Sequence, residues 1–515
     1  VSLRSGIRSG LVSGLLSGLS PGSNGDVFFL GPADSNGVGQ GVAQAKGVDS
    51  EFDSAFNVMG PIGSVNYLKR YSQSSSDPVS YLADVTGGVG PYNVAGVQNS
   101  GFQVPFAQEM VRAGFPCSLL EHAISGIAAK QWTPLANFPT LPAAGPNLWS
   151  QSTSLADQFG GRVRGIIPVI GGNDGVNGTD AGNCNANLTA IYTAAIAKWG
   201  ASLAIIQVRN SANQAAAVTF LTTIQAAQDA MVTTFPSNVV QVWTDDLALH
   251  SDNLHFSGNS LVVLGQRVAY AMLDKLGVAR VRPTVPQIVG WGPTYTSTGA
   301  YSPVGPGCAI NGDLEIYTAF SQTASGANGA IPTPTTTGAQ PWTSQGTASS
   351  TDGTSTTRMA IFTRPVTSAD LVTGHGAMPP TTMGASGNPI NGGRIVVVRG
   401  PNAGPTVDVI QTSVNNAFQT ALTLTGKTTG FAGEGILLIA GGYRTNATDN
   451  PVTMTPLGAI TGAASVVGSN RTASPDFITH AAWQAQLAAA AATGNVTVAF
   501  ALATLACGAV IGIKP

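Results

Sequence analysis

Phe28-Phe29-Leu30-Gly31-Pro32-Ala33-Asp34-Ser35-Asn36-Gly37 is the stretch on which the reading of this chain turns. Val27–Leu30 is a short apolar run, as expected of a strand buried on both faces. It stops at a small, polar turn that presents one serine. Gly165–Ile170, Leu203–Val208 and Val239–Trp243 read as further buried strands. Between them, Ala186–Trp199 and Asn213–Thr233 read as helices, rich in Ala, Leu, Ile and Gln and free of interior Pro and Gly. Ser257-Gly258 opens another, running to about Leu276, with Leu261, Leu264, Val268 and Met272 on one face. Buried strands alternating with amphipathic helices imply an α/β domain with a parallel sheet covered on both faces. In such sheets the working groups sit at the carboxyl ends of the strands. Ser35 and Asn173 each follow a strand directly, as that rule asks.

Serine alone is a poor nucleophile. It needs a base to take its proton, and the base needs a carboxylate to orient it. Ser251-Asp252-Asn253-Leu254-His255 supplies both on one loop, with Asp252 placed to reach the imidazole Nδ1 and Nε2 left facing outward. A tetrahedral oxyanion then needs donors, commonly backbone N–H groups and an Asn amide. Gly171-Gly172-Asn173-Asp174 offers such an Asn, and Ser125-Gly126, after the apolar run Leu119–Ile124, offers a backbone N–H. Taken singly, each of these is more often just a turn. His122, His250, His375 and His480 have no matching partners and read as structural or surface residues. Asp245-Asp246 reads as a turn cap, with cation binding as the alternative.

Ala33-Asp34-Ser35-Asn36, Gly126, Gly171-x-Asn173-Asp174 and Asp252-x-x-His255 stand in the order of the four sequence blocks of the SGNH (GDSL-type) hydrolases. The chain resembles that family over roughly residues 26–282, and Asp-Ser-Asn-Gly is most similar to the sialate and carbohydrate O-acetylesterases. Ala33 replaces the usual glycine of the first block, and Gly114 competes with Gly126 for the second. The resemblance implies a flavodoxin-like three-layer fold. It implies Ser35 as nucleophile, His255 as general base and Asp252 as its orienting group. The Ser35 and Gly126 backbones and the Asn173 side chain would form the oxyanion hole. No metal and no other cofactor is implied.

The composition sets the context. Charged residues are 9% of the 515, against roughly 25% in an average protein. The net charge of −2 provides no basic field for nucleic acid or anionic lipid. Cys117, Cys184, Cys308 and Cys507 are widely spaced and form no Cys-x-x-Cys or Cys/His cluster, so a zinc site is not expected. Buried thiols are the plainer reading of them, with disulfides left open.

Residues 1–25 contain a Ser-Gly repeat over 5–20, too glycine-rich for a stable isolated helix. They read as an arm, held by a neighbouring subunit or lying on its own domain, rather than as a signal peptide. Beyond Pro283 prolines interrupt any helix, and residues 321–357 read as loop. Strands are expected at Arg358–Thr363, Arg394–Arg399, Ala421–Leu424, Gly435–Ala440 and Val496–Leu502, separated by Gly-, Asn- and Pro-rich turns. This is the pattern of an all-β, jelly-roll-like sandwich over 283–515. It loosely resembles modules of phage virion proteins. The apolar run Val496–Ile513 reads as closing strands rather than a membrane span. Trp291, Trp342 and Trp483 are candidates to stack on sugars, with core packing the default. The expectation is an esterase that removes O-acetyl groups from a surface polysaccharide, in a virion or at a cell surface. Its partners would be the glycan and further copies or virion subunits, held through the arm and the sandwich. The alternative is a structural or glycan-binding subunit that keeps the esterase fold as a platform.

Overall fold

A computed structural model of the chain describes residues 27–33, 66–71, most of 102–134, 148–157, 163–245, most of 252–278, 282–291, 305–324, 340–368, 390–444, 477–486 and 491–514, with short pieces between them. The expected arm at 1–25, Ser35 and Cys117 lie outside the described residues. The chain divides into two compact units: residues 1–42, 62–257 and 268–279, and residues 43–61, 258–267 and 280–515.

The first unit is built on a sheet of seven strands. They are β1 (Val27–Ala33), β2 (Asn66–Tyr71), β3 (Pro78–Val79), β6 (Ser118–Ala123), β7 (Val163–Ile166), β8 (Ala204–Val208) and β9 (Val239–Val242). Among the described residues, two short strands, β4 (Asn93–Val94) and β5 (Val97–Gln98), pair with each other. The sheet order is β3-β2-β6-β1-β7-β8-β9, and every pairing but β2–β3 is parallel. The order reverses at β1. The chain runs outward to β2, returns through β6 to one side of β1, then crosses to β7 on the other. An open α/β sheet has its crevice at such a switch point, outside the strands' carboxyl ends.

Sequence explains the parts. All five residues of β8 are buried, and its one polar member, Gln207, is satisfied. The Tyr192 hydroxyl donates to it at 2.8 Å, and its own amide donates to Gln228 O and Gln241 Oε1. The strand expected at Gly165–Ile170 ends at Ile166, because Pro168 has no N–H to give a ladder. Helix α1 (Leu148–Asp157) was not legible from its periodicity. Helix α2 (Gly178–Trp199) starts eight residues before the expected Ala186, because Asn177 caps it by accepting from the N–H groups of Thr179 and Asp180. It buries Leu188, Ile191, Tyr192 and Ala195 in a core shared with β7, β8, β9 and helix α3 (Leu221–Thr234). The single helix expected over Asn213–Thr233 is corrected. A short 3-10 turn covers Ala212–Ala216, and α3 begins only at Leu221. Val218 is drawn into the core between the two, and Phe220 N–H is bonded to Gly175 O instead of continuing a helix. Helix α4 (Gly258–Lys275) carries Met272 against Gly165 and Phe28.

In the second unit, Gln287–Trp291, Ile390–Arg399, Leu314–Ala324, Ser355–Pro365 and Thr343–Thr351 form one antiparallel sheet in that order. Thr406–Val414, Val496–Lys514, Gly435–Arg444 and Phe477–Gln486 form another. Ile316, Met359, Ile361 and Val396 of the first sheet pack with Leu437, Ile439, Ala509 and Ile511 of the second. The opposite faces are also covered, by Tyr317, Trp342 and Phe362 on one and by Leu424, Leu438, Val498 and Phe500 on the other.

The loop expected over 321–357 is therefore corrected. Leu314–Ala324 runs into it, and Thr343–Thr351 is an exposed Ser/Thr-rich edge strand within it. Threonine favours strands, and one exposed face tolerates hydroxyls. The run at 496 is a single long strand. Its first part pairs with Gln419–Leu424 and Val452–Thr455, and its second with Thr406–Val414 and Gly435–Arg444. Among the described residues, no helix is long and apolar enough to cross a membrane. Cys184, Cys308 and Cys507 are buried free thiols.

Burial, and after it the neighbouring Asp408 carboxylate, push the Glu434 carboxyl up from 4.5 to about 7. An acid with a raised folded pKa favours the fold when protonated. Its contribution is complete below about 4.5 and is lost as pH rises through about 7. Glu434→Gln is expected to remove that loss, leaving the variant on the order of 2 kcal/mol more stable than the wild type at pH 8 and little changed at pH 4. Melting temperature against pH checks this; parallel curves for the two proteins would contradict it.

Candidate active site

Three chain segments leave the sheet side by side. Ala33, the last residue of β1, is in register with Ala123 of β6 on one side and bridged to Val169 on the other. Two residues beyond Ala33 is Ser35, three beyond Ala123 is Gly126, and four beyond Val169 is Asn173. The neighbouring strands end at the same level, because Val208 N–H bonds Pro168 O at 3.0 Å and Arg209 N–H bonds Val242 O at 3.0 Å. The turns after β1, β6 and β7 thus start from one edge.

Gly126 is exposed, in the left-handed region at φ 72°, with nothing within 4 Å of where a Cβ would stand. Asn173 is half-buried. It precedes a 3-10 turn, Asp174–Val176, which its side chain does not cap. Asp174, fully buried, joins these two segments across 45 residues. Its carboxylate accepts the Ala129 N–H with both oxygens, at 3.0 and 2.9 Å. Burial, opposed by that N–H and aided by the Asp180 carboxylate, raises its pKa to about 6. Outside, Lys130 adds an exposed ion pair to Asp180 at 2.7 Å. Nothing in the spacing of Asp174 and Ala129 announces this link.

Beyond β9 the chain turns back as a loop closed by a bridge between Leu249 and Phe256, with Leu247 and Phe256 buried beneath. Asp252 Oδ1 accepts the N–H groups of Leu254 and His255, at 2.9 and 3.0 Å. Asn253 takes φ 56° to allow that turn, a conformation Asn tolerates. The other carboxylate oxygen, Oδ2, lies 2.6 Å from His255 Nδ1. Partial burial alone would raise Asp252; the bonds from the His255 ring and from the two N–H groups outweigh it and hold the carboxyl at about 2. Asp252 is therefore ionised and can only accept. His255 Nδ1 must then be the donor, so the neutral ring carries its basic lone pair on Nε2.

The structure thus joins Asp252 to His255 and places Gly126 and Asn173 in the segments that follow β6 and β7, the two strands flanking β1. Asp245 caps the turn at Ala212, accepting its N–H at 2.7 Å. Trp342 lies in the core against Tyr317. Among the described residues, no group of three or more His, Cys, Asp or Glu is arranged to hold a metal ion.

Residues 25–274 match the model of a family described as carbohydrate esterase, sialic acid-specific acetylesterase. Among solved structures, the chain is similar to a protein from Arabidopsis thaliana at 22% identity, over 48% of this chain and 98% of that one, with a TM-score of 0.36. It is similar to a carbohydrate acetylesterase from Xanthomonas citri at 16% identity, over 71% and 80% of the two chains, with a TM-score of 0.39. It is also similar to a carbohydrate acetylesterase family member from Sinorhizobium meliloti at 11% identity, over 35% and 91%, with a TM-score of 0.27. No curated protein matches it. The match over 25–274, just under half of the chain, is to the carbohydrate esterase family of sialic acid-specific acetylesterases, and the activity it supports is that of a carbohydrate O-acetylesterase.

Proposed function

We propose that the chain hydrolyses O-acetyl esters on a glycan by a serine mechanism, within a three-layer, flavodoxin-like domain. The observation that carries the reading is the register of Ala33 between Ala123 and Val169, together with the Asp252–His255 pair. Ser35 attacks the acetyl carbonyl carbon while His255 Nε2 takes the hydroxyl proton. The carbonyl oxygen becomes an oxyanion, received by the Ser35 and Gly126 N–H groups and the Asn173 amide. Collapse breaks the bond to the sugar oxygen, which leaves with the proton held on His255. Water, deprotonated by the same nitrogen, then attacks the acetyl-serine and releases acetate. Asp252 keeps the imidazole in the productive tautomer and stabilises the imidazolium that forms.

The low charge of the chain and its β-rich second unit support a setting on a virion or other extracellular surface. There residues 1–25 and the second unit would hold further copies or neighbouring subunits. A structural or glycan-binding role on an inactive platform is the competing reading. The experiment is to incubate the full chain with O-acetylated sialic acid and with an acetylated polysaccharide and to measure free acetate. Release from either supports the esterase. No release from these or from an aryl acetate would leave the platform reading standing.

A further inference from the structure

The segment after β8 carries a chain of buried amides that the proposed chemistry does not use. Gln214 is fully buried. Its Nε2 donates to Leu254 O at 2.6 Å, inside the Asp252–His255 loop. Its Oε1 accepts Asn210 Nδ2 at 3.1 Å and Ser211 N–H at 2.9 Å. Asn210 passes the contact on. Its N–H donates to Gln228 Oε1 at 2.9 Å, and its Oδ1 accepts Gln228 Nε2 at 3.0 Å. Gln228, also buried, donates from the same nitrogen to Ile170 O at 2.9 Å. Ile170 O is the last carbonyl before Gly171-Gly172-Asn173. Gly171 allows the approach: a Cβ there would stand 2.7 Å from Asn210 Oδ1, and its φ of 126° disfavours any side chain.

A continuous line of hydrogen bonds therefore runs from the carbonyl three residues before Asn173 to the carbonyl directly before His255. Each amide takes part as both donor and acceptor, so no member can turn over without breaking a neighbour's bond.

We propose that Gln214 is a positioning residue. Acting through Leu254 O, it sets the distance of His255 from the reacting atoms, while Asn210 and Gln228 tie that setting to the Asn173 loop. This rests on the esterase reading above. The Gln214 side chain bonds Leu254 O, Asn210 Nδ2 and the Ser211 N–H, and so acts through the loop backbone.

The test is Gln214→Met, which keeps bulk and removes both polar functions. A misplacement of about 1 Å costs roughly 10²-fold in rate. The kcat on an aryl acetate is therefore expected to fall about 10²-fold, with KM within about twofold. A second readout does not need turnover: the low-field proton NMR signal of His255 Nδ1–H bonded to Asp252, assigned by its loss in His255→Gln. That signal is expected to shift or broaden in Gln214→Met. An unchanged kcat with an unchanged signal, in a folded variant, overturns the proposal. If the Met variant does not fold, Gln214→Glu takes its place. It keeps the shape but turns an acceptor toward Leu254 O, and the same two readouts decide. A wild type without esterase activity would refute the functional reading, and the NMR signal would still decide whether Gln214 positions the loop.

Discussion

His255→Ala is expected to lower kcat for aryl acetate hydrolysis by at least about 10⁴-fold, with KM little changed. In the proposed mechanism, removal of the ring leaves the Ser35 hydroxyl without a base and the departing alkoxide without a proton. Substrate binding, made by other groups, persists. Asp252→Asn is expected to cost less, since the base remains and only its tautomer and orientation suffer. The Asp252 carboxyl, held at about 2, stays ionised throughout the mildly acidic and neutral range, so protonation of Asp252 should not limit the pH profile there. Because nucleophile and base act as one unit, Ser35→Ala combined with His255→Ala should be no slower than either alone, within a few-fold. Steady-state kinetics decide. Turnover by His255→Ala within tenfold of wild type would remove His255 from the mechanism.

The largest stability effect is expected in the second unit. Glu315 and Arg364 face each other on adjacent strands, both fully buried, with Oε2 2.7 Å from Nε. Arg364 also lies 5.1 Å from the centre of the Trp342 ring. Glu315→Ala removes one partner of this buried ion pair, and breaking a buried pair costs about 3–5 kcal/mol. For a unit of this size that is a fall in melting temperature of roughly 6–20 °C. The double replacement Glu315→Leu with Arg364→Met removes both charges and is expected to return most of the loss, because the pair's desolvation cost disappears with it. Calorimetry on all three proteins is the check. A double variant as unstable as Glu315→Ala would show that packing around the strands, not the broken ion pair, sets the cost.

Much of the first unit was legible because its strands are short apolar runs, as Val27–Leu30 is throughout and Leu203–Val208 is apart from Gln207. The Asp252–His255 contact was legible because three residues of turn bring the groups together without help from the rest of the fold. What escaped depends on distant partners. The helix drawn through Asn213–Thr233 has good composition throughout. It breaks because Gln214 turns toward Leu254, forty residues on, and Val218 is taken into the core. The Asp174–Ala129 link and the amide line through Asn210 are invisible for the same reason. In the second unit, Thr343–Thr351 looked like loop because Ser and Thr fill it; its strand is set by the register of Ser355–Pro365 beside it.

In the proposed mechanism Ser35 is an activated nucleophile beside His255. Brief exposure of the full chain to a fluorophosphonate, followed by peptide mass spectrometry, tests it most directly. One phosphonyl adduct on Ser35 is expected, formed in step with loss of esterase activity, absent in Ser35→Ala and formed far more slowly in His255→Ala. Full labelling of another residue with Ser35 unmodified, or no adduct while esterase activity persists, would contradict it.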